Sequence, residues 1–482
     1  MLDEAGPTLL LAVLVAAIAT AVAYACTRDG DKAIALATAA VTWFCWFGAV
    51  SAMGYRLVRA TPPPEGEFNI AVIPWTTLGV VYSVHVLRAR SLRLLVQCWF
   101  VLAAVLIAFP SLLLVRFPFA RPPAVAPVPA VSLRPPGATP DIFFVVFDRY
   151  AGPDTLRRTY GFDNSELIHY LRERGFHVAE SSHANYQRTA PSLAATLNHT
   201  LIHSLFTGME DEADWRPLYG LIRNDAVTRA LRALGYETIH AGSWWYPTHD
   251  DPHADITIPF AGLPLFFQTV YANTALSGGG ITFGGRLDAR FQHWAGIHRT
   301  VRGLRELRRG PRPVFLFAHL LLPHSPYVFG PGGEFLLART TLNRSTVENY
   351  VDQIRFANVV IRQLVEAFLS DTGRPTPVII LQADEGPFPP RDDFDINAYD
   401  WRRARPDEVR DKFSILNAMY LPGDSAHSLG DAINPVNTFR VIFNRYFGTR
   451  FELLPDQSFG SARESRPYAF FEVTDVLRPR AR

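Results

Sequence analysis

Residues 142–148 read IFFVVFD, and residues 378–386 read VIILQADEG. Each is a short, unbroken apolar run closed by an acid, Asp148 in the first and Asp384 in the second. Unbroken runs of this length fit strands covered on both faces, as in a parallel sheet. Acids at the carboxyl ends of parallel strands gather in the crevice where α/β proteins bind ligands. Between the two runs lies TAPS, Thr189 to Ser192, a hydroxyl-bearing turn of the kind that opens a helix. Oxygen ligands suit a divalent cation, and a metal can activate a hydroxyl as a nucleophile. The order acid, hydroxyl, acid points to metal-assisted transfer of a phosphorus or sulfur ester.

The sequence around these landmarks alternates between strand and helix. A helix is predicted from about Asn164 (NSELIHYLRERG) and another near Ser192. A helix-then-strand unit follows (VTRALRALGYETIHAG), and PVFLFAHL reads as a further strand. Residues 346–369 place apolar residues at helical spacing and lead into the second acidic strand. INPVNTFRVIFNRYFG, after residue 430, reads as a helix entered from a Pro turn. This alternation predicts a mainly parallel sheet with helices on both faces.

The amino end has a different composition. Four segments, about 8–26, 33–54, 68–87 and 94–115, each approach the ~20 apolar residues needed to cross a bilayer. Three further spans and the lack of a basic n-region disfavour a cleaved signal peptide for the first segment, and the tight succession of the four disfavours a buried helical core. Arg88, Arg90 and Arg93 sit in the third loop without an acid, which favours a cytoplasmic third loop and an outward-facing remainder. The expected organisation is a membrane domain over 1–115, a Pro-rich spacer over 116–140 and an α/β domain over 141–482. Localisation in the cell membrane, with the α/β domain extracytoplasmic, follows from it. All three cysteines, Cys26, Cys45 and Cys98, fall in the membrane part, so the α/β domain has neither disulfide nor thiol nucleophile. A formal net charge of +2 with no clustered basic face gives no sign of a nucleic-acid partner. Lys32 and Lys412 are the only lysines in an Arg-rich chain.

Five motifs in order resemble the alkaline phosphatase superfamily, in its sulfatase-like branch. PDIFFVVFD resembles the opening strand that ends in a metal-binding acid. TAPSL resembles the nucleophile motif of the branch. LRALGYETIHAGSWW resembles the segment that precedes a sulfatase Lys and His. LLPHSPY resembles a Pro-His-x-Pro substrate motif, and ADEGP the Asp-His-Gly metal motif. The resemblance covers residues 141–450. It implies an amino-terminal four-helix membrane domain joined to a sulfatase-like α/β domain, similar to the lipoteichoic acid synthases and phosphoethanolamine transferases.

The resemblance implies roles residue by residue. Thr189 fills the nucleophile position; on its own, TAPS serves equally as a plain helix cap. A Thr cannot be oxidised to the aldehyde that sulfatases use, so ordinary sulfate hydrolysis is disfavoured. Asp148, Asp384, Glu385 and the Thr189 oxygen are the implied ligands of one divalent cation. Those oxygen donors favour Mg²⁺, Mn²⁺ or Ca²⁺ over Zn²⁺. Glu385 departs from the family's usual His or Asn. His324 is available to hydrogen-bond a phosphoryl oxygen or protonate a leaving alkoxide. Ser243 and Trp245 replace the sulfate-binding Lys and His, and Arg188 adjoins the nucleophile, which makes all three substrate-side candidates. His319 reads as a core histidine. The loop holding His249, Asp250, Asp251, His253 and Asp255 reads as solvated.

The functional expectation is a metal-dependent phosphoryl-group transferase beside a membrane. A membrane lipid would be the donor and a glycan or glycolipid the acceptor. A hydrolase of phosphate or sulfate esters and a non-catalytic binding protein of the same fold are the alternatives.

Overall fold

The computed structural model describes residues 2–478, apart from 61, 62, 64–66, 120–124, 126, 127, 129–132, 135, 136, 138, 261, 263, 264, 283, 284, 372, 392, 393, 397, 398 and 424–428. Most of the Pro-rich spacer therefore lies outside the described residues. The chain divides into two compact units, one of residues 1–121 with 262–292, the other of 122–261 with 293–482.

The first unit holds helices Leu2–Thr27, Gly30–Cys45, Phe47–Val58, Val72–Arg88 and Arg93–Phe119. The expected second span, 33–54, is instead two helices bent by 61° on either side of Trp46. The break coincides with a contact distant in sequence: the Gly48 amide donates to Asn273 O at 3.0 Å. A Cβ at Gly48 would lie 2.4 Å from Ala272 O, so only glycine permits that approach. Among the described residues no single helix is long and apolar enough to cross a membrane, while the bent pair passes on length and composition together. Residues 262–292, which the sequence reading places within the α/β domain, group with this unit instead.

The second unit is built on a seven-stranded sheet. Its strands are β1 (Ile142–Phe147), β2 (His177–Val178), β3 (Glu237–Ala241), β4 (Ile256–Ile258), β5 (Val314–Leu320), β6 (Val378–Gln382) and β7 (Asn417–Tyr420). The spatial order is β2-β7-β6-β1-β5-β3-β4. All neighbours are parallel except β7, which runs antiparallel to both β6 and β2. A separate hairpin pairs β8 (Phe459–Arg463) with β9 (Arg466–Glu472).

β1 shows why both acidic runs are unbroken and apolar. Phe143, Val145 and Phe147 enter one core, and Ile142, Phe144 and Val146 enter the other. Period-2 alternation on a central strand thus buries every residue. The helix Thr346–Leu369 covers the first core with Tyr350, Ile354, Ala357, Ile361 and Leu364. Ser345 and Glu348 close its amino end in a capping box. The helices Thr189–Leu197 and Thr438–Tyr446 cover the opposite face. The mainly parallel sheet with helices on both faces is the architecture that the alternation predicts.

Candidate active site

Strand register assembles the site. On β5, His319 lies opposite Val146 of β1; on β6, Gln382 lies opposite the same Val146. Asp148 and Asp384 each follow two residues beyond that shared row. The ligand atoms of Asp148, His319 and Asp384 consequently all lie within 4.8 Å of one another. All three residues are buried. Arg149, in a left-handed backbone conformation at φ 63°, turns the chain away after β1, and its amide donates to Asp384 Oδ1 at 3.3 Å.

The donors fit a cation. Asp148 Oδ1, His319 Nε2 and Asp384 Oδ2 are buried without a hydrogen-bond partner. Such orphaned atoms are uncommon, and three converging ones are what a bound ion satisfies. His319 Nε2 lies 3.4 Å from Asp148 Oδ2. Its other nitrogen, Nδ1, is hydrogen-bonded to Thr248 Oγ1 at 2.9 Å. With the proton on Nδ1, Nε2 presents its lone pair to the carboxylates, the usual disposition of a ligating histidine. His319 is therefore a member of the site, not a satisfied core histidine.

The charges are correspondingly strained without an ion. Burial pushes the Asp148 carboxyl up, but His324, His319 and Arg149 outweigh it and hold the group below the usual carboxylate range. Burial and the charges of Asp148 and Glu385 push Asp384 well above that range. A divalent cation between the two carboxylates would relieve this repulsion.

Glu385 stands differently from its expected role. Its Oε1 accepts from Arg149 Nε at 2.9 Å and pairs with Lys412 Nζ at 2.9 Å. Lys412 is fully buried, donates to Gly386 O at 2.8 Å and lies 3.7 Å from the centre of the Phe388 ring. The converging donor group consists of Asp148, His319 and Asp384, whereas one Glu385 oxygen is shared by Arg149 and Lys412 and the other, Oε2, is buried without a partner. The donor set thus includes an imidazole, where the sequence reading counted oxygens alone. Gly386 closes the motif because a Cβ there would sit 2.2 Å from Asp411 O.

Thr189 is the first residue of the helix Thr189–Leu197, and its side chain lies beside the Asp384 carboxylate, whose pKa it lowers. Ser192 Oγ donates to Asp384 O at 2.6 Å and is buried, so that hydroxyl is committed to anchoring the turn. Thr189 lines a cavity of ≈ 140 Å³ together with Asp148, Arg149, Arg188, His324 and Glu385. Trp215, Tyr219, Trp244, Trp245 and Phe388 form its aromatic wall. Arg188, Trp245 and His324 are thereby brought to the nucleophile candidate, as the sequence reading expects.

Ser243 is not. Its Oγ is hydrogen-bonded to Thr248 Oγ1 at 2.8 Å and accepts from the Trp245 amide at 3.1 Å. Thr248 in turn holds His319, so Ser243 stands behind that ring and away from the cavity. His324 Nδ1 donates to Ser325 O. Burial and the Arg149 charge lower the His324 ring to about 4. At neutral pH the ring is uncharged and Nε2 accepts a proton before it can give one. In the His/Asp-rich loop, Asp250 pairs with Arg223, Asp251 accepts from the His253 amide and Asp255 accepts from Thr238. Among the described residues, the Asp148, His319 and Asp384 group is the one that could hold a metal ion.

Arg149, Thr248, His319, Lys412 and Glu464 went unassigned or misread from sequence. The only available signals were the position of Arg149 directly after the strand acid and the presence of a single lysine beyond residue 32.

Neither a protein-family model nor a curated protein sequence matches the chain. Solved structures do. The C-terminal periplasmic domain of EcEptC from Escherichia coli, in complex with Zn, is 11% identical with a TM-score of 0.46, over 73% of this chain and 97% of that one. The soluble domain of lipooligosaccharide phosphoethanolamine transferase A from Neisseria meningitidis is 12% identical with a TM-score of 0.41, over 65% and 90%. The phosphonate monoester hydrolase of Agrobacterium radiobacter is 11% identical with a TM-score of 0.42, over 67% and 80%. These neighbours belong to the alkaline phosphatase superfamily.

Proposed function

We propose that this chain is a membrane-anchored, metal-dependent phosphoryl-group transferase that acts on a phosphodiester through Thr189. One observation carries the reading. The Thr189 hydroxyl sits at a helix start, beside Asp384, in the cavity that Asp148 also lines, next to three buried donor atoms that have no partner. A helix start favours a bound phosphoryl group. Asp148, His319 and Asp384 would hold the cation, with Thr189 beside them. When bound, the cation supplies charge neutralisation at the ester and a lowered pKa for the Thr189 hydroxyl. A donor set of two carboxylates and an imidazole suits a borderline ion such as Zn²⁺ or Mn²⁺ better than Ca²⁺.

In the reaction, the Thr189 oxygen forms a bond to phosphorus as the bond to the leaving alcohol breaks. The hydroxyl proton ends on that alcohol, and neutral His324 is the ring placed to carry it. Arg149, which lines the cavity with Thr189, would face the oxygens of the reacting group. The phosphothreonine then passes its group to a second hydroxyl. A membrane lipid as donor and an envelope glycan or glycolipid as acceptor fit a site tethered to the bilayer. Exposed Val13, Leu14, Ile18 and Val22 on the first helix, with Phe100, Val101 and Val105 on the fifth, support lipid contact.

The test is to incubate the purified full chain with a phospholipid labelled at its headgroup phosphate and to locate the adduct by mass spectrometry. The expected adduct is on Thr189, and Thr189→Ala is expected to lose nearly all turnover while Thr189→Ser retains part. An adduct on Ser192, or full turnover by Thr189→Ala, overturns the reading.

A further inference from the structure

Arg188 is an unusual neighbour for a nucleophile because most of its fork is already taken. The residue is 5% exposed. Its Nε donates to Ser461 Oγ at 3.2 Å and its Nη1 pairs with Glu464, while Nη2 is buried without a partner. Ser461 lies on β8, and Glu464 lies in the turn between β8 and β9. Glu464 itself lines the cavity beside Thr189. The hairpin therefore sets a carboxylate against the guanidinium that would otherwise meet the substrate's anionic oxygens.

The charge around the cavity follows. Arg149, Arg188 and Lys412 oppose Asp148, Asp384, Glu385 and Glu464, which leaves one negative charge in excess before an ion binds. With one divalent cation, one positive charge is in excess. A phosphodiester carries one negative charge and balances it. A phosphomonoester above its second pKa carries two and leaves one uncompensated in a partly enclosed cavity, which is costly.

We propose that Glu464 is a positioning residue that sets this site for monoanionic phosphodiesters over dianionic phosphomonoesters by keeping Arg188 neutralised. The proposal rests on the reading of the site as a one-cation phosphoryl transferase. Glu464 touches no reacting atom; it acts through Arg188.

The experiment compares wild-type, Glu464→Gln and Glu464→Asp full-length protein in detergent micelles, loaded with the same divalent ion. Turnover of bis(4-nitrophenyl) phosphate and of 4-nitrophenyl phosphate is measured at pH 7. In parallel, binding of inorganic phosphate and of dimethyl phosphate is read by tryptophan fluorescence, since Trp215, Trp244 and Trp245 line the cavity. Glu464→Gln is expected to raise the monoester-to-diester ratio of kcat/KM roughly ten- to a hundredfold, through KM for the monoester. Such a shift is the effect of one added charge at a few ångströms in a partly screened site. Phosphate affinity should rise more than dimethyl phosphate affinity, because the interaction scales with the charge of the ligand. Glu464→Asp, which keeps the charge, should keep the wild-type ratio.

An unchanged ratio and unchanged phosphate affinity in Glu464→Gln would overturn the proposal and leave the transferase reading standing. Wild-type protein that binds neither anion and turns over neither ester would overturn the transferase reading, and this proposal with it. If Glu464→Gln fails to fold, Glu464→Ala is read in the same way. A fluorescence melt of each variant separates loss of the hairpin from a change of preference.

Discussion

Lys412→Met isolates the one buried ammonium of the site while keeping side-chain length. Lys412 donates to Gly386 O at 2.8 Å, pairs with Glu385 Oε1 at 2.9 Å and caps the Phe388 ring at 3.7 Å. Removing one member of a buried pair costs about 3–5 kcal/mol, because the other charge is stranded. Arg149 still holds Glu385 Oε1, so the lower end applies, about 3 kcal/mol. At about 2 °C per kcal/mol for a domain of this size, the melting midpoint should fall by about 6 °C. The partner change makes the test sharper. Burial pushes the Lys412 ammonium down to about 8, more than Glu385 and Asp384 restore, so the pair is not by itself a large net stabiliser. Lys412→Met combined with Glu385→Gln should cost less than the sum of the two single changes, with a coupling of about 2 kcal/mol, but should not recover the loss, because Arg149 then loses its partner. The assay is a tryptophan-fluorescence melt of the full chain in detergent with chelator present, so that no bound ion contributes. A midpoint within 1 °C of wild type for Lys412→Met, as an order-of-magnitude threshold, or strictly additive single and double changes, would refute the reasoning.

His319→Ala should reduce the divalent ion bound per chain to background by elemental analysis, whereas Glu385→Gln should retain it; the opposite pattern would return Glu385 to the ligand set. Acid sensitivity should trace partly to His199, which packs against Phe443 and Phe451 with neither ring nitrogen partnered. Burial and Arg440 lower His199 from 6.5 to about 4, so its contribution is complete above pH ~6.5 and is lost as pH falls toward 4, by about 3 kcal/mol at most. Asp225 acts with the opposite sign: burial raises it to about 7, so its contribution weakens as pH rises from about 4 to 7. His199→Asn should flatten the acid limb of a stability-against-pH profile, and an unchanged limb would exclude the assignment. Ala126→Cys, in a chain lacking Cys26, Cys45 and Cys98, should react with a membrane-impermeant thiol reagent in intact cells; labelling only after lysis would place the α/β domain in the cytoplasm.

What the sequence by itself determined is the part set by local pattern. An unbroken apolar run such as IFFVVFD needs both faces covered, and that alone specifies a central strand in a layered α/β domain. Its terminal acid, the TAPS turn and Asp384 were legible because strand ends and helix starts are local features. Thr346–Leu369 matches its predicted limits because helical periodicity and a capping box are local as well. The remainder depended on pairing between distant segments. His319 sits in VFLFAHL, where a buried histidine and a ligating histidine look alike; only the register that sets it opposite Val146 turns its ring toward Asp148. Lys412 and Glu464 approach the site from segments whose own sequences carry no sign of it. The bend at Trp46 coincides with a contact to Asn273, more than two hundred residues away. The surroundings of Glu385 were hidden for the same reason. A carboxylate beside Asp384 is chemically able to bind an ion, and only the tertiary structure shows that two cations, Arg149 and Lys412, share its Oε1.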